Sequence, residues 1–506
     1  MPVRGHQPID LSNLKGLWFR GDDSPNTPLD HMQDCNNIQF CGTAFRTRDG
    51  LGISQTVAVP LDNVYRIYNY PTQTANTILV LTYDGVTGNI YHVVDAATVY
   101  LILTKTGMTD FAFVPYAGRA YISPFVTVTT GDLNIQKGMQ NEFLYVYLGA
   151  GATARKAAGV TPAGTLTIAN GAAGHTDPGF KSFAVVGESD SGFLSEPFAI
   201  ATFTTSAASS VSFGTVPVLV GAQWTKRHIV ATKVISNYNG DNTGYQFFFI
   251  PGATINDNTT AFLNNVSWYD ADLLEDASHL LDNYDEIPAG ACLWMYHDRL
   301  CLATTYDDIS LIYVSAPGEP ESISEIDGLI IVTLDGNPIT NGAELRDVMY
   351  VFKRSRTTSY TDTGEAPSSW PDSPIDAALG TSVHGIATVL DSGNANVDFL
   401  IVCTFTGIVL FNGRYILPEL TFKIEQFWNN IDRNQYRKIQ IVNCPTSKTI
   451  YIVIPDGRVL FGNYQNGLDP KNIRWSPSSW YTVVNCIGIV NIDEIIIGAE
   501  NPNFGL

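Results

Sequence analysis

The chain has 506 residues, of which 45% are hydrophobic and only 15% are charged, and its formal net charge is −20. This length exceeds one ordinary core, so we expect two to four domains or one large propeller with an insertion, and the 43 glycines and 26 prolines argue against a disordered or mainly helical chain. The negative charge argues against non-specific nucleic-acid binding, which needs Lys and Arg. Two explanations of this charge stay open: it keeps a large protein soluble, or it forms an acidic wall past which DNA slides.

The N-terminal segment, Met1–Asp10, lacks the charged-then-apolar pattern of an export signal, and no stretch approaches 18 apolar residues. We therefore predict no export signal and no membrane span. The seven cysteines are scattered, and Cys35 and Cys41 lack a second pair at zinc spacing. This pattern predicts reduced thiols in a protein made in a cytoplasm.

Short apolar runs separated by Gly, Asn or Asp turns recur along the chain. Their β-branched and aromatic content predicts strands, and the turns between them predict hairpins. A long chain of hairpins must protect its sheet edges by radial repetition as in a propeller, by stacked sandwiches, or by assembly with other chains. The three clearest hairpins are Asn76–Asp84 with Asn89–Asp95, Asp398–Thr404 with Ile408–Phe411, and Lys448–Ile454 with Arg458–Phe461.

A composition shift marks the end of the first block, residues 1–160. Gly149–Gly174 is rich in Gly, Ala and Thr, which suits a domain entry strand and loop. Strand-like runs then occur with turn signals at the spacing of a small antiparallel sandwich, so we predict an Ig- or fibronectin-III-like insert at residues 161–255. Its predicted strands are Phe180–Gly187, Phe198–Thr204, Ser209–Phe213, Arg227–Val234 and Tyr245–Ile250.

One segment beyond the insert has a helical pattern. Asp270–Asn283 repeats apolar residues near a 3.6-residue period, which predicts an amphipathic helix. Its acids could suggest calcium, but they lack the Gly and the terminal Glu of an EF-hand loop, so a solvated helix face is the favoured interpretation.

The hairpin pattern returns from Ile287 to Leu506. Together with the first block it predicts roughly six to eight small sheets of the size of propeller blades. We therefore predict an all-β fold in which residues 1–160 and 256–506 form a propeller-like platform around the sandwich insert. The final strand, Asp493–Ile497, is expected to close the ring with an N-terminal strand such as Leu14–Arg20.

The sequence offers no assembled catalytic motif. Gly187–Gly192 and Gly380–Gly385 resemble a nucleophile elbow only loosely and lack its α/β context, so we do not assign catalysis to Ser189 or Ser382. No metalloprotease helix, P-loop or dinucleotide fingerprint occurs. We therefore predict a protein that is not an enzyme, with no catalytic, cofactor-binding or metal-binding residues.

The basic and histidine side chains likewise give no clear site. The isolated histidines, among them His92, His228, His297 and His384, are expected to be packed or surface residues rather than ligands. Lys353–Arg356 is the densest basic patch. It could contact DNA or an acidic partner subunit, but a solvated strand end is the favoured interpretation.

Several segments are similar to one protein family. Leu17–Leu51 combines a Gly-, Asp- and Pro-rich stretch with two asparagines, a short strand and an Arg-Asp-Gly sequence. Phe183–Phe198 and Val216–Val234 have the pattern of an inserted Ig-like domain, and Trp294–Glu321 places His-Asp-Arg-Leu before a Ser-x-x-Gly-x-Pro-Glu turn. Val348–Trp370 and Gly407–Gly413 extend the similarity. Together these segments resemble a family of bacteriophage tail proteins, the nozzle or hub-type components of short-tailed phages.

The resemblance implies a structural virion protein, made in the host cytoplasm, that forms a homohexameric ring. Such a ring would contact the tail adaptor and portal-proximal proteins, carry fibres or a needle, and form the distal channel through which DNA passes without specific binding. Under this interpretation acids such as Asp95, Asp110 or Asp132 could line a lumen.

Two alternatives remain open from the sequence. The first is a glycan-binding propeller, a baseplate protein or adhesin, with exposed Trp268, Trp370 and Trp480 as stacking platforms, although packing of these tryptophans between blades is favoured. The second is a propeller glycosidase, for which the 49 acids supply candidate carboxylates but no recognisable pair.

Overall fold

The structure is a computed structural model. The residues that it describes are 38–41, 44–47, 63–72, 75–95, 97–126, 138–149, 151–160, 162–236, 245–376, 379–390, 398–413, 419–478, 483–490 and 494–499.

The described residues form an all-β propeller of seven sheets, which we number as blades 1 to 7 in chain order. Within each blade the strands are antiparallel and pair in the order of the sequence, because short turns return the chain to the neighbouring position. Blade 1 comprises Val64–Pro71, Asn76–Tyr83, Thr87–Val93 and Val99–Thr106. Blade 2 comprises Met108–Tyr116, Arg119–Val126, Tyr145–Tyr147 and Arg155–Lys156.

The other five blades share the same plan. Blade 3 comprises Cys292–Tyr296, Arg299–Ala303, Leu311–Val314 and Leu329–Ile331. Blade 4 comprises Ile339–Leu345, Val348–Lys353, Thr357–Tyr360 and Asp372–Asp376. Blade 5 comprises Ile386–Leu390, Asp398–Cys403 and Ile408–Phe411. Blade 6 comprises Gln440–Cys444, Thr449–Val453, Val459–Asn463 and Arg474–Ser478, and blade 7 comprises Val484–Val490 and Glu494–Ala499.

The ring closes where blade 7 packs against blade 1. The first strand of each blade contacts the next blade, and the first strand of blade 7 returns to the first strand of blade 1. Gly488 leaves no room for a side chain there, since a Cβ would lie 2.8 Å from Cγ2 of Ile67. The Asn485 side chain also donates a hydrogen bond of 3.2 Å to the Val64 carbonyl oxygen. The predicted closing partner, Leu14–Arg20, lies outside the described residues.

The hydrophobic core lies between successive blades, so most blades bury both faces. One cluster joins blades 3 and 4, another joins blades 5 and 6, and a third joins blades 7 and 1. Burial on both faces explains why strands such as Thr449–Val453 are continuous apolar runs rather than alternating ones. The three hairpins predicted from the sequence are confirmed by the strand pairing.

A β-sandwich is inserted between blades 2 and 3. Its two sheets pack through Phe183 and Phe213, whose ring centroids are 5.8 Å apart, and through Trp268. One sheet pairs Thr167–Ala173, Ser209–Thr215 and Leu263–Val266. The other pairs Phe198–Thr205, Gly179–Ser189, Trp224–Ala231 and Phe248–Ile255. An Ig- or fibronectin-III-like identity is not confirmed, and the insert bounds of 161–255, which stop before the seventh strand, stay a prediction.

The predicted helix at Asp270–Asn283 is wrong. The segment forms two short 3₁₀ turns, Asp270–Asp272 and Ser278–Asp282, joined by a stretch that pairs with the sandwich. The Phe249 amide donates to the Glu275 carbonyl oxygen, and the Ala277 amide donates to the Phe247 carbonyl oxygen. These inter-segment hydrogen bonds replace the helical ones, so tertiary pairing overrides the local period.

The remaining described helices are short and lie in connections, one within blade 4 and the others between blades 5 and 6. They are the 3₁₀ turns Pro367–Ser369, Leu420–Lys423 and Arg433–Lys438 and the single α-helical turn Glu425–Asn429. No helix of the described residues has the length and apolar content needed to cross a membrane. A separate hairpin, Ile38–Cys41 with Ala44–Thr47, contacts the last strand of blade 6. Cys292, Cys301, Cys403, Cys444 and Cys486 are buried and form no disulfide among the described residues.

Candidate functional site

A cavity of about 590 Å³ lies on the axis of the propeller. The first strand of a blade is its innermost one, and each of the seven described blades contributes part of the wall from this strand or from the residues just before it. One residue from each blade, in order, is Tyr68, Phe113, Leu293, Asn341, His384, Gln440 and Ile487. The cavity is therefore the place where side chains from the whole ring meet, and it is our candidate functional site.

A buried ion network closes the axis beside this cavity, and Asp110 of blade 2 is its centre. Arg66 of blade 1 holds the Asp110 carboxylate with two hydrogen bonds, of 2.8 Å from Nε and 3.0 Å from Nη2. His384, just before blade 5, donates from Nε2 at 2.9 Å to Oδ2, the oxygen that also accepts from Nη2 of Arg66. Arg437, just before blade 6, has a guanidinium nitrogen 3.6 Å from the same oxygen. One carboxylate thus links four blades.

Neutral polar groups extend the network around the axis. Arg66 also donates to Oε1 of Gln440 at 3.1 Å, and the Gln440 amide donates to the Ile487 carbonyl oxygen at 2.8 Å. The Tyr68 hydroxyl donates to the Phe111 carbonyl oxygen at 3.0 Å and lies 3.4 Å from Nδ1 of His384. These bonds bring blade 7 into the network and fix the His384 ring.

The charges of the network are set by their surroundings. Burial alone would raise the pKa of Asp110, but the Arg66 guanidinium, with help from His384 and Arg437, holds that pKa well below its usual range. Burial and the nearby Arg66 charge lower the pKa of His384. At neutral pH the site therefore contains an ionised Asp110 between arginines and a neutral His384 that donates to it.

This arrangement is suited to holding the ring together rather than to proton transfer. Both Asp110 oxygens accept hydrogen bonds from Arg66 and His384, so the carboxylate is occupied by the protein itself. A buried charge is tolerated only when it is paired and hydrogen-bonded, which is the case here. The network connects five of the seven blades at the axis, where the described residues add one parallel β-bridge, between His384 and Gln440.

Of the three acids expected to line a lumen, two lie among the described residues. The expectation for Asp110 is wrong, because this residue is buried and paired. Asp95 is exposed and accepts hydrogen bonds from the backbone amides of Ala97 and Thr98, so it stabilises a turn. Asp132 lies outside the described residues. No sequence motif indicates the network. The one feature that could have pointed to it is a charged residue inside each of two innermost strands, Arg66 in blade 1 and Asp110 in blade 2.

Two of the three aromatic platforms of the glycan-binding alternative lie among the described residues, and neither is exposed. Trp268 is buried in the sandwich core, and Trp370 is buried beside Tyr296 at the edge of blade 4. The alternative of exposed stacking surfaces is therefore wrong for both, and the favoured interpretation of core packing is confirmed, although Trp268 packs in the sandwich rather than in a blade. Trp480 lies outside the described residues.

Ser189 and Ser382, the serines of the two elbow-like sequences, stabilise a turn and a connection between blades. The Ser189 hydroxyl accepts a hydrogen bond from the Phe193 amide and contacts the Ser191 hydroxyl. The Ser382 hydroxyl donates to the Ile439 carbonyl oxygen at 3.2 Å. Neither geometry prepares a hydroxyl for attack on a substrate.

The basic segment Lys353–Arg356 is not a simple solvated strand end. Lys353 is buried, donates to the Thr333 carbonyl oxygen, and forms an ion pair of 2.8 Å with Asp335. Arg354 instead places its guanidinium over the Phe405 ring, 4.6 Å from the centroid. The interpretation of the segment as solvated is thus wrong for Lys353, which is neutralised inside the protein.

Another group of side chains has the composition of a metal site. Ligand atoms of His297, Glu344 and Asp347 lie within 4.8 Å of one another on neighbouring turns of blades 3 and 4. Asp347 is 92% exposed at its side chain and the His297 ring stacks on Tyr296. We assign no role to this group.

His92 of blade 1 is a buried histidine whose charge state affects stability. Its ring contacts the Tyr147 hydroxyl and the Thr77 hydroxyl at 2.8 Å each, and burial lowers its pKa to about 4. Between that value and the ordinary pKa near 6.5, the unfolded chain binds a proton that the folded protein does not. Stability is therefore complete above about pH 6.5 and falls as the pH drops towards 4, by at most about 3 kcal/mol from this group.

Replacement of His92 by glutamine tests this origin of pH dependence. We expect His92→Gln to be less stable than the original protein at pH 7 but to lose less of its melting temperature between pH 7 and pH 4.5. The exposed His279, changed to glutamine, is the matched control and should keep the original pH profile. An unchanged profile for His92→Gln would contradict a neutral buried imidazole.

The chain is similar to several solved structures at low sequence identity. No protein-family model and no curated protein sequence matches the chain. Among solved structures, the C-terminal WD40 domain of Sif2 is similar, with 9% identity over 88% of this chain and 97% of that one and a TM-score of 0.35. Hsv2 of Kluyveromyces lactis shares 10% identity over 82% of this chain and 97% of its own, with a TM-score of 0.28. BBS1N, solved in complex with ARL6DN, shares 11% sequence identity over 79% of this chain and 90% of its own, also with a TM-score of 0.28.

A WD40 domain is itself a β-propeller. These TM-scores are too low to argue from, so the assignment of a propeller depends on the strand pairing and on the closure of the ring between blades 7 and 1.

Proposed function

We propose that this chain is a structural protein of a phage tail, of the nozzle or hub type, and that it works as an assembling scaffold rather than as an enzyme. The observation that carries the proposal is the β-sandwich inserted between two blades of the ring, which is the layout that the sequence resemblance implies. The axis supports the scaffold interpretation, because its charged groups are used to connect blades. In the virion, a ring of such subunits would form the distal DNA channel and would contact adaptor proteins and fibres or a needle.

One end of the sandwich has the features of an assembly surface. Val218 and Val220 lie on the connection after Ser209–Thr215, and Phe262 lies just before Leu263–Val266; all three are exposed. The Asn258 side chain and Leu219 backbone exchange two hydrogen bonds of 2.8 Å, and the Val216 amide donates to the Ala261 carbonyl oxygen, so the two loops are adjacent. Exposed apolar side chains gathered in this way mark protein contacts. We propose that a neighbouring subunit covers them.

The substitution Val220→Asp tests this surface. The Val220 side chain is 93% exposed, so the folded subunit should tolerate an aspartate, whereas an apolar contact between subunits should not. We expect at least a tenfold weaker assembly of the variant, or about 1.4 kcal/mol, in light-scattering mass measurements of the purified chain with its tail partners.

The control for this experiment is Val86→Asp. Val86 is 65% exposed on a turn of blade 1, away from the sandwich, and its substitution should leave assembly unchanged. Equal assembly by Val220→Asp and the original protein would exclude this end of the sandwich as the contact. A strictly monomeric protein under all conditions would count against the nozzle proposal itself.

The axial cavity favours a second candidate, a propeller that binds a glycan or another small polar ligand. The cavity combines apolar walls with the side chains of Asn69, Asn341 and Asn443, and Oδ1 of Asn69 is buried without a hydrogen-bond partner in the described residues. Concave sites with a few convergent polar groups are typical of ligand binding. Saturable binding on a glycan array that is lost in Asn341→Leu would favour this candidate over a purely structural role.

A further inference from the structure

A second, smaller pocket lies between blades 4, 5 and 6, separate from the axial cavity. Its volume is about 120 Å³, and a water molecule needs roughly 10–15 Å³ of such space, so the pocket accommodates a group of several heavy atoms. Three arginines line it: Arg354 comes after a strand of blade 4, whereas Arg433 and Arg437 belong to the 3₁₀ turn before blade 6. No aspartate or glutamate is among its lining residues.

Two of these arginines form no ion pair with any carboxylate of the described residues. Arg354 contacts the Phe405 ring through its guanidinium face, and Arg433 donates one hydrogen bond of 3.2 Å to the Asn429 side chain. A guanidinium carries five N–H donors, so both retain donors for a ligand. This is unusual in a chain with 49 acids and 29 bases, where acidic partners are in excess.

The hydroxyl hydrogens of Thr340, Thr381 and Ser382 are already used inside the protein. Thr340, Thr381 and Ser382 each donate to a backbone carbonyl oxygen, which also fixes the wall. The ring of Phe405 stacks on Tyr436 with centroids 4.1 Å apart, which supports Arg354 from below. The donors that converge on the pocket are therefore mainly those of the guanidinium groups.

We propose that this pocket binds a phosphate group. Planar guanidinium forks match the oxygens of a phosphate, and several of them on one small pocket neutralise its double charge. The volume admits the phosphate itself, whereas any larger remainder of the ligand would extend past Arg433 into solvent. The ligand is thus either free phosphate or the phosphate end of a larger molecule, and both share the same recognition.

Calorimetric titration of the full chain with inorganic phosphate tests the proposal, with sodium chloride balancing the ionic strength. We expect saturable binding that is at least about tenfold weaker in Arg433→Gln, since one charged hydrogen-bonding group is lost. Arg354→Met, which keeps contact with Phe405 but removes the charge, should have the same effect. Glycerol 1-phosphate is the second titrant, and tighter binding than for phosphate would identify a larger molecule as the source.

The matched control is Arg458→Gln. Arg458 is a partly exposed arginine of blade 6 that is already paired with Asp456 at 2.6 Å, so its loss should leave phosphate binding unchanged. Circular dichroism and melting curves verify that each variant is folded. The proposal is overturned if the original protein shows no saturable heat up to about 10 mM phosphate, or if Arg458→Gln weakens binding as much as Arg433→Gln.

Discussion

Replacement of Asp110 by alanine is expected to destabilise the centre of the propeller by about 3–5 kcal/mol, because it leaves the buried Arg66 guanidinium without its counter-charge. The His384 side chain loses its acceptor at the same time. We expect the loss to be concentrated at the axis. Hydrogen exchange measured by mass spectrometry should therefore show the innermost strands Val64–Pro71 and Gln440–Cys444 exchanging roughly 100-fold faster or more.

Two further variants define the origin of this effect. Asp95→Ala removes an exposed acid that only stabilises a turn, and should cost much less stability than Asp110→Ala, without faster exchange at the axis. The double variant Arg66→Met, Asp110→Leu removes both charges, and should be more stable than either single variant because neither residue leaves the charge of the other without its partner. If the effects of Arg66→Met and Asp110→Leu simply add, the two residues do not act as a buried pair.

Replacement of Arg227 by leucine is expected to cost the sandwich about 3–4 kcal/mol, since several backbone carbonyl groups would lose their donors. Arg227 is completely buried, and its guanidinium donates to the carbonyl oxygens of Val216, Pro217, Asp257 and Thr260 at 2.6 to 3.3 Å. These carbonyl groups belong to the two loops that carry the proposed assembly surface. Faster hydrogen exchange in residues 216–220 and 257–262 would report the loss.

Lys226→Leu is the control for Arg227→Leu. Lys226 is the preceding residue on the same strand, but its amine is half exposed and pairs with Glu188 at the surface. Such a pair contributes about 1 kcal/mol or less, so little change is expected. Similar losses in both variants would show that the strand tolerates no apolar substitution here, and would remove the special role given to the Arg227 guanidinium.

The parts of the fold that sequence reasoning could predict are those determined by neighbouring residues. The hairpin Asn76–Tyr83 with Thr87–Val93 is an example, because its two apolar runs and its turn are adjacent in the sequence. The strand and turn propensities of these residues are therefore enough to predict it. The same reasoning failed for Asp270–Asn283. There the spacing of leucines was helical, but hydrogen bonds to Phe247 and Phe249 determine the backbone.

The axial network could not be predicted, since its members are distant in the sequence. Arg66 and Asp110 are separated by 44 positions, and His384 and Asp110 by 274. Only the order of blades around the ring brings them together. The arginine pocket could not be predicted for the same reason. Arg354 belongs to the basic segment Lys353–Arg356, whereas Arg433 and Arg437 lie much farther along the chain.

The closed axis also limits how DNA could pass through an assembly of this protein. Arg66, Asp110 and His384 meet at the centre of the propeller, where a DNA path through one subunit would have to run. Under the proposed function, the DNA channel is therefore expected to lie between subunits and not along the axis of each propeller.

Electron cryomicroscopy of the protein assembled with its tail partners and DNA is therefore the most direct test of the proposed ring and of the position of the DNA. We expect a closed ring of subunits, each a seven-bladed propeller with an occluded axis, with DNA density only in the lumen that the subunits enclose. Isolated monomers, or DNA density along the axis of a single propeller, would contradict this function and this arrangement of the blades.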